Sequence, residues 1–156
     1  TGLHESTKLA ASLLVEAVVR GSRVLDVGCG TGILSAIAAK KGASQVVALD
    51  IDEHSVEKTN ETARINDVYI DARQSEFLSS VKPEERFDII VSNMIVELLR
   101  EFVLDLERFL DEHGTVILSG IFKDKFSEIG NLIEGTFLIE SSREDGDWKA
   151  IKLRRK

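Results

Sequence analysis

Two rhythms of apolar residues alternate along the chain. Unbroken runs such as Val46-Val47-Ala48-Leu49 carry no polar face, the pattern of strands buried on both sides. Between them, apolar residues recur three and four apart, as in Leu9, Leu13, Leu14, Ala17 and Val18, the stripe of an amphipathic helix. Taken in order, the pattern predicts a polar opening segment over residues 1–7, with Ser6 as the N-cap of a helix that stops at Arg20-Gly21. A strand over 23–27 follows, then a helix from Ile33 to about residue 41 closed by Gly42, then a strand ending at Asp50. A polar helix capped by Asp52 covers about 53–66. A third, short strand begins at 68–70, and a helical turn covers 75–80. The fourth strand is 87–92. Ile95, Leu98, Leu99, Phe102, Val103, Leu106, Phe109 and Leu110 then trace one face of a single long helix ending at His113-Gly114. The fifth strand is 115–119, and Phe122, Phe126, Ile129 and Ile133 mark another helix. Residues 136–140 and 148–153 read as two strands joined through Asp145-Gly146, a hairpin signal.

Alternation of strand and helix predicts an α/β protein with a mostly parallel sheet of seven strands and helices on both faces. The closing hairpin adds an antiparallel strand. No repeat, linker or low-complexity stretch divides the 156 residues, which suits one domain.

The chemistry concentrates where the first strand ends, at Val24-Leu25-Asp26-Val27-Gly28-Cys29-Gly30-Thr31-Gly32. A strand, a tight glycine turn and a helix let backbone approach a ligand closely and aim a helix N-terminus at it. A dinucleotide fingerprint needs a third glycine where Ile33 stands, so NAD and an oxidoreductase are disfavoured. Asp50, at the end of the second strand, can accept both hydroxyls of a ribose. A plain turn at the glycines and a helix cap at Asp50 remain the structural alternatives. Together the features point to a nucleoside-type ligand. Ligands of open α/β sheets bind beyond the carboxyl ends of the strands. Those ends also carry the Ser75-Glu76 region and Ser92-Asn93-Met94, where Asn93 offers a carbonyl acceptor and an amide donor, or a cap for the following helix. Asp26, if buried, needs a partner, and a backbone amide or the ligand's amino group would serve.

Composition narrows the partners. Net charge is −7, which argues against direct binding of nucleic acid backbones. No apolar run is long enough to span a membrane. The lone Cys29 forms no internal disulfide and suits an intracellular, cytoplasmic setting. It reads as a small turn residue or, alternatively, a nucleophile. No His, Cys, Asp or Glu cluster has metal-ligand spacing, and no Ser-His-acid arrangement is visible. The chain opens on Thr1, which reads as a piece of a longer protein.

The G-x-G-x-G turn after Leu-Asp-Val resembles the first motif of class I S-adenosylmethionine (SAM) methyltransferases. More of the chain is similar to the bacterial ribosomal protein L-eleven methyltransferase (PrmA) family. The matching segments are Thr1-Gly2-Leu3-His4-Glu5-Ser6-Thr7, the glycine turn, Asp50-Ile51-Asp52, Ser92-Asn93-Met94-Ile95, Ser119-Gly120-Ile121 and Asp147-Trp148-Lys149-Ala150. The resemblance implies a Rossmann-like class I fold and SAM as cofactor. Thr7, Gly28, Asp50 and Asn93 fall on its cofactor positions, with Cys29, Gly30 and Ile51 beside them. It also implies methylation of lysine and amino-terminal amines of a ribosomal protein, with Asn93 orienting the acceptor nitrogen. In-line attack on a sulfonium methyl mainly requires orientation, so the lack of an evident base fits that chemistry. The family's separate N-terminal substrate domain is expected to be absent, and residues 1–156 to form the SAM-binding domain alone. Methylation of another protein or a small molecule, and a non-catalytic SAM-binding core, stay open as alternatives, as does the oligomeric state.

Overall fold

A computed structural model describes the backbone of residues 2–156 and the side chains from His4 onward. Thr1 of the opening motif lies outside the described residues. The elements follow the order α1 (Gly2–Ala17), β1 (Arg23–Val27), α2 (Ile33–Lys40), β2 (Gln45–Asp50), α3 (Glu53–Ile65), β3 (Asp71–Gln74), β4 (Phe87–Asn93) and α4 (Val96–Phe102). A 3-10 turn (Val103–Phe109) leads into β5 (Leu110–Phe122), followed by a short 3-10 turn (Lys123–Lys125), α5 (Phe126–Ile133), β6 (Phe137–Asp145) and β7 (Trp148–Arg155).

The seven strands pair in the order β3-β2-β1-β4-β5-β7-β6. The first five are parallel; β7 inserts antiparallel between β5 and β6. Successive residues of β1 enter opposite cores, which is why its run is apolar throughout. Val24 packs with α1 and α2 residues such as Leu13, Leu14 and Leu34. Leu25 packs with Leu99, Phe102 and Leu106 on the other face.

Three expectations are corrected. The opening segment is already helical from Gly2, so Ser6 and Thr7 lie inside α1 and Ser6 is no cap. Ser6 is buried, and its carbonyl accepts a hydrogen bond from Ser119 Oγ at 2.7 Å. A small polar residue here lets the helix lie close to the ends of the sheet. The third strand starts at Asp71, later than expected, because Val68 still donates to Ala63 and closes α3, while Asp67 takes φ 53. Pairing with β2 begins only at Asp71. The single long helix is instead α4, a 3-10 turn and the start of β5. Of its expected apolar face, Leu99, Phe102, Val103, Leu106, Phe109 and Leu110 are buried, whereas Ile95 and Leu98 are exposed and line a cavity. Periodicity near three does not separate α from 3-10 geometry. His113-Gly114 falls inside β5, at a bulge where pairing jumps from Phe87–Leu110 to Ile89–Thr115. A Cβ on Gly114 would lie 2.5 Å from Leu110 Cδ1 and 3.0 Å from the Asp111 carbonyl oxygen, so a side chain there would crowd the bulge.

Candidate functional site

The parallel strands all end on one side, and the chain crosses from β1 outward in both directions there, to β2 on one flank and β4 on the other. A crevice opens at such a point.

The glycine turn forms its floor. Gly28, Gly30 and Gly32 take φ of 78, 56 and 84, a left-handed region that side chains avoid. The N–H groups of Gly28 and Cys29 both donate to the Leu49 carbonyl, at 2.8 and 2.9 Å. The Gly30 N–H donates to Asp50 Oδ2 at 2.9 Å, and the Asp52 N–H to Asp50 Oδ1 at 3.0 Å. Each carboxylate oxygen keeps a second lone pair for a ligand. From α3, Thr59 Oγ1 donates to the Gly30 carbonyl at 3.1 Å and Thr62 Oγ1 to the Thr31 carbonyl at 2.7 Å. The turn is therefore clamped from two sides before any ligand binds.

Two acidic groups beneath it behave differently from their ordinary forms. Asp26 is fully buried, and burial raises its carboxyl from 3.8 to about 6. Its partner is Ser35, whose hydroxyl donates to Oδ2 at 2.7 Å and whose backbone N–H also favours the carboxylate. Burial, with the charges of Asp26 and Asp50, pushes the Cys29 thiol up to about 12. Its sulfur lies 3.2 Å from Thr59 Oγ1. A thiol held that high stays protonated at neutral pH, so Cys29 is a turn residue and not a nucleophile.

A cavity of about 460 Å³ extends from Gly28 past Asp50 and Ile51 to the turn at Ser75, Glu76 and Phe77, and returns along Asn93 and Met94. Of the residues singled out from sequence, Gly28, Asp50, Ile51 and Asn93 line it. Cys29, Gly30 and Thr7 do not: Cys29 faces Thr59, Gly30 fixes Asp50, and Thr7 holds Asn93. Sequence reasoning gave no role to Phe77. It lines the cavity at φ 48 and stacks on Phe102 at 5.2 Å between ring centroids. Nothing in a sequence marks a bulky residue for left-handed backbone. Met94 had only its place beside Asn93 to recommend it. A Cβ on Gly28 would meet its sulfur at 2.7 Å, so the first glycine makes room for Met94 as well as for the turn.

Asn93, the last residue of β4, is tied down on one side only. Its Nδ2 donates to Thr7 Oγ1 at 3.0 Å. Its Oδ1 is buried and has no hydrogen-bond partner among the described residues. An unpaired buried acceptor costs about 1–3 kcal/mol, which a ligand N–H would recover. Neighbouring bonds hold the strand end in place. Ser92 Oγ donates to the Val27 carbonyl at 2.8 Å, and the Met94 N–H to the Ser119 carbonyl at 3.1 Å. No three His, Cys, Asp or Glu side chains among the described residues are grouped to hold a metal.

A parallel sheet with one inserted antiparallel strand, its crevice floored by a glycine turn and flanked by an acid, is the Rossmann-like fold of the class I methyltransferases. The family described as "Ribosomal protein L11 methyltransferase (PrmA)" matches over residues 1–156, and the chain belongs to it. A ribosomal protein L11 methyltransferase from Thermosipho melanesiensis is 42% identical over 154 residues, covering 99% of this chain and 57% of the relative. One from Thermoanaerobacter pseudethanolicus is 38% identical, covering all of this chain and 50% of the relative. The chain thus spans little more than half the length of these curated relatives. Among solved structures, a ribosomal protein L11 methylase from Lactobacillus delbrueckii subsp. bulgaricus superposes with a TM-score of 0.92 at 35% identity, covering 98% of this chain and 79% of that one. The T. thermophilus 16S rRNA methyltransferase RsmC, in complex with AdoMet and guanosine, gives 0.78 at 27% identity, covering 94% and 43%.

Proposed function

We propose that this chain is the cofactor-binding and catalytic part of a SAM-dependent protein N-methyltransferase. Its acceptors are lysine and amino-terminal amines of ribosomal protein L11. The observation that carries this reading is a single one: the cavity bounded by Gly28 and Asp50 ends at an asparagine whose carbonyl oxygen is buried and has no partner among the described residues. Asp50 would take the ribose hydroxyls on its free lone pairs, and Gly28 would let the ligand lie against bare backbone. SAM supplies a methyl group already activated on sulfonium. Asn93 would meet SAM with one lone pair of Oδ1 and orient with the other, which accepts an N–H of the incoming amine and so turns the nitrogen lone pair toward the methyl. An asparagine takes no proton, so the lysine, ordinarily near pKa ~10.4, must arrive neutral.

The relatives' greater length supports placing the protein-substrate contacts outside residues 1–156, which would form a single SAM-binding domain in the cytoplasm. RsmC, by its printed name, acts on ribosomal RNA, but the net charge of −7 weighs against direct RNA binding by this chain. The test is the intact mass of purified ribosomal protein L11 after incubation with this chain and SAM, with SAM binding measured by calorimetry in the same preparation. Mass gains in whole methyl steps are expected. Binding without gain moves acceptor recognition to regions outside this chain or to another substrate. No binding of SAM overturns the reading.

A further inference from the structure

We infer that Gly120, within the buried stretch of β5 beside Asn93, is a positioning residue that sets the orientation of the Asn93 carboxamide; the inference rests on reading Asn93 as the residue that meets the ligand. Gly120 takes φ +82. A Cβ built there would stand 2.9 Å from Asn93 Oδ1 and 2.8 Å from the Met94 carbonyl oxygen. The carboxamide therefore rests in the room left by a missing side chain. Its other end is fixed, because Nδ2 donates to Thr7 Oγ1 at 3.0 Å. A methyl group at Gly120 would have to turn the carboxamide. Turning it breaks the bond to Thr7 and carries the unpaired oxygen away from where it now lies. The residue before it serves the same end. Ser119 is fully buried, its hydroxyl donates to the Ser6 carbonyl at 2.7 Å, and its own carbonyl accepts the Met94 N–H at 3.1 Å. Ser119 thereby ties both residues that neighbour the pair, Ser6 before Thr7 and Met94 after Asn93, to one strand. Gly120 supplies the space and Ser119 the frame.

A methyl at Gly120 also strains the backbone and crowds Met94, whatever Asn93 does. A double-mutant cycle separates the two effects. SAM binding is measured by calorimetry for the full chain, for Gly120→Ala, for Asn93→Ala and for the double variant. Gly120→Ala is expected to weaken binding about tenfold with Asn93 present, and by only about threefold in the Asn93→Ala background, where the strain and the crowding of Met94 alone remain. Equal losses in both backgrounds would overturn the inference. The second readout needs no ligand. In Gly120→Ala the NMR signal of the Asn93 side-chain amide should shift, while the backbone amides of Gly30 and Asp52, bonded to Asp50, stay in place. An unmoved Asn93 signal also overturns it. If Gly120→Ala does not fold, the double variant decides: recovered folding supports contact with Asn93, and failure assigns the clash to the Met94 backbone. A wild-type chain that does not bind SAM would sink the proposed function, and the NMR comparison would still decide the role of Gly120.

Discussion

The two ends of the same parallel strands are built to opposite purposes. At the amino-terminal end, Arg23 of β1 meets Asp88 of β4 and Asp111 of β5. The Arg23 N–H, Nε and guanidinium NH2 donate to Asp88 at 2.8, 3.1 and 2.9 Å, and NH2 also to Asp111 at 3.0 Å. Arg23 holds the Asp88 carboxyl below the usual carboxylate range, and the two aspartates hold the guanidinium above its own. At the carboxyl-terminal end β1 runs into the left-handed Gly28 with Asp26 buried and raised to about 6, β4 finishes in Asn93, whose Oδ1 has no partner among the described residues, and the left-handed Phe77 follows β3. Strain and unmet hydrogen bonds are each worth about 1–3 kcal/mol. Phe77 and Asn93 both border the cavity, whereas the left-handed residues at the other end, Gly21, Gly42 and Asp67, lie in the turns that lead into β1, β2 and β3. At the opposite end the Arg23 cluster instead pairs its own charges across β1, β4 and β5.

The sharpest way to break this contrast is Asp50→Ala. It removes two proposed ribose bonds and also releases the Gly30 N–H. Two hydrogen bonds to a charged group, at roughly 1.5–3 kcal/mol each, correspond to about a thousandfold loss of SAM affinity. Calorimetry reads it directly, and affinity left within about tenfold would remove Asp50 from the ligand's contacts.

Asp26→Asn comes next and acts through pH. The folded carboxyl titrates at about 6 and the ordinary value is 3.8. The native state therefore binds the proton more tightly than the unfolded state. The stability this gives is complete below the unfolded value and is lost as pH rises through the folded one. Asparagine keeps the shape and removes the titration. Between about pH 4 and about pH 7.5, urea unfolding should show wild type losing about 2–3 kcal/mol relative to Asp26→Asn. Parallel pH curves for the two proteins would mean that the Asp26 carboxyl is not raised by folding.

What was legible in the sequence divides along the same line. The strands were legible because burial on both faces leaves an unbroken apolar run, and β1, β2 and β4 fell within a residue of expectation. The glycine turn and Asp50 were legible because each needs a particular residue type at a particular strand end. The long helix was misread because a 3-10 turn buries nearly the same residues as an α-helix continuing from α4, and only the bulge at Gly114 shows that the strand has already begun. Thr7 and Ser6 were misplaced because they act from inside a helix, through packing that local sequence does not encode. Phe77 was invisible, since its backbone is imposed by the turn around it. There Ser75 Oγ donates to the Phe77 carbonyl at 2.8 Å and the Ser80 N–H to Ser75 Oγ at 3.0 Å.

The smallest effect is the one that tests whether the two ends are independent. Asp88 and Asn93 stand at opposite ends of β4, five residues and so roughly 17 Å apart. Asp88→Ala takes three bonds from Arg23 but leaves it Asp111 and open water, because both side chains are more than a third exposed. Solvent screens such pairs, so the expected cost is about 1 kcal/mol, or roughly 3 °C in Tm for a chain of this size. SAM affinity should stay within about twofold, since groups this far apart with no shared partner add independently. A variant that loses stability and keeps its ligand confirms that the amino-terminal end serves the fold alone. A variant that loses both would mean that β4 transmits its register from one end to the other, and that the Arg23 cluster belongs to the site after all.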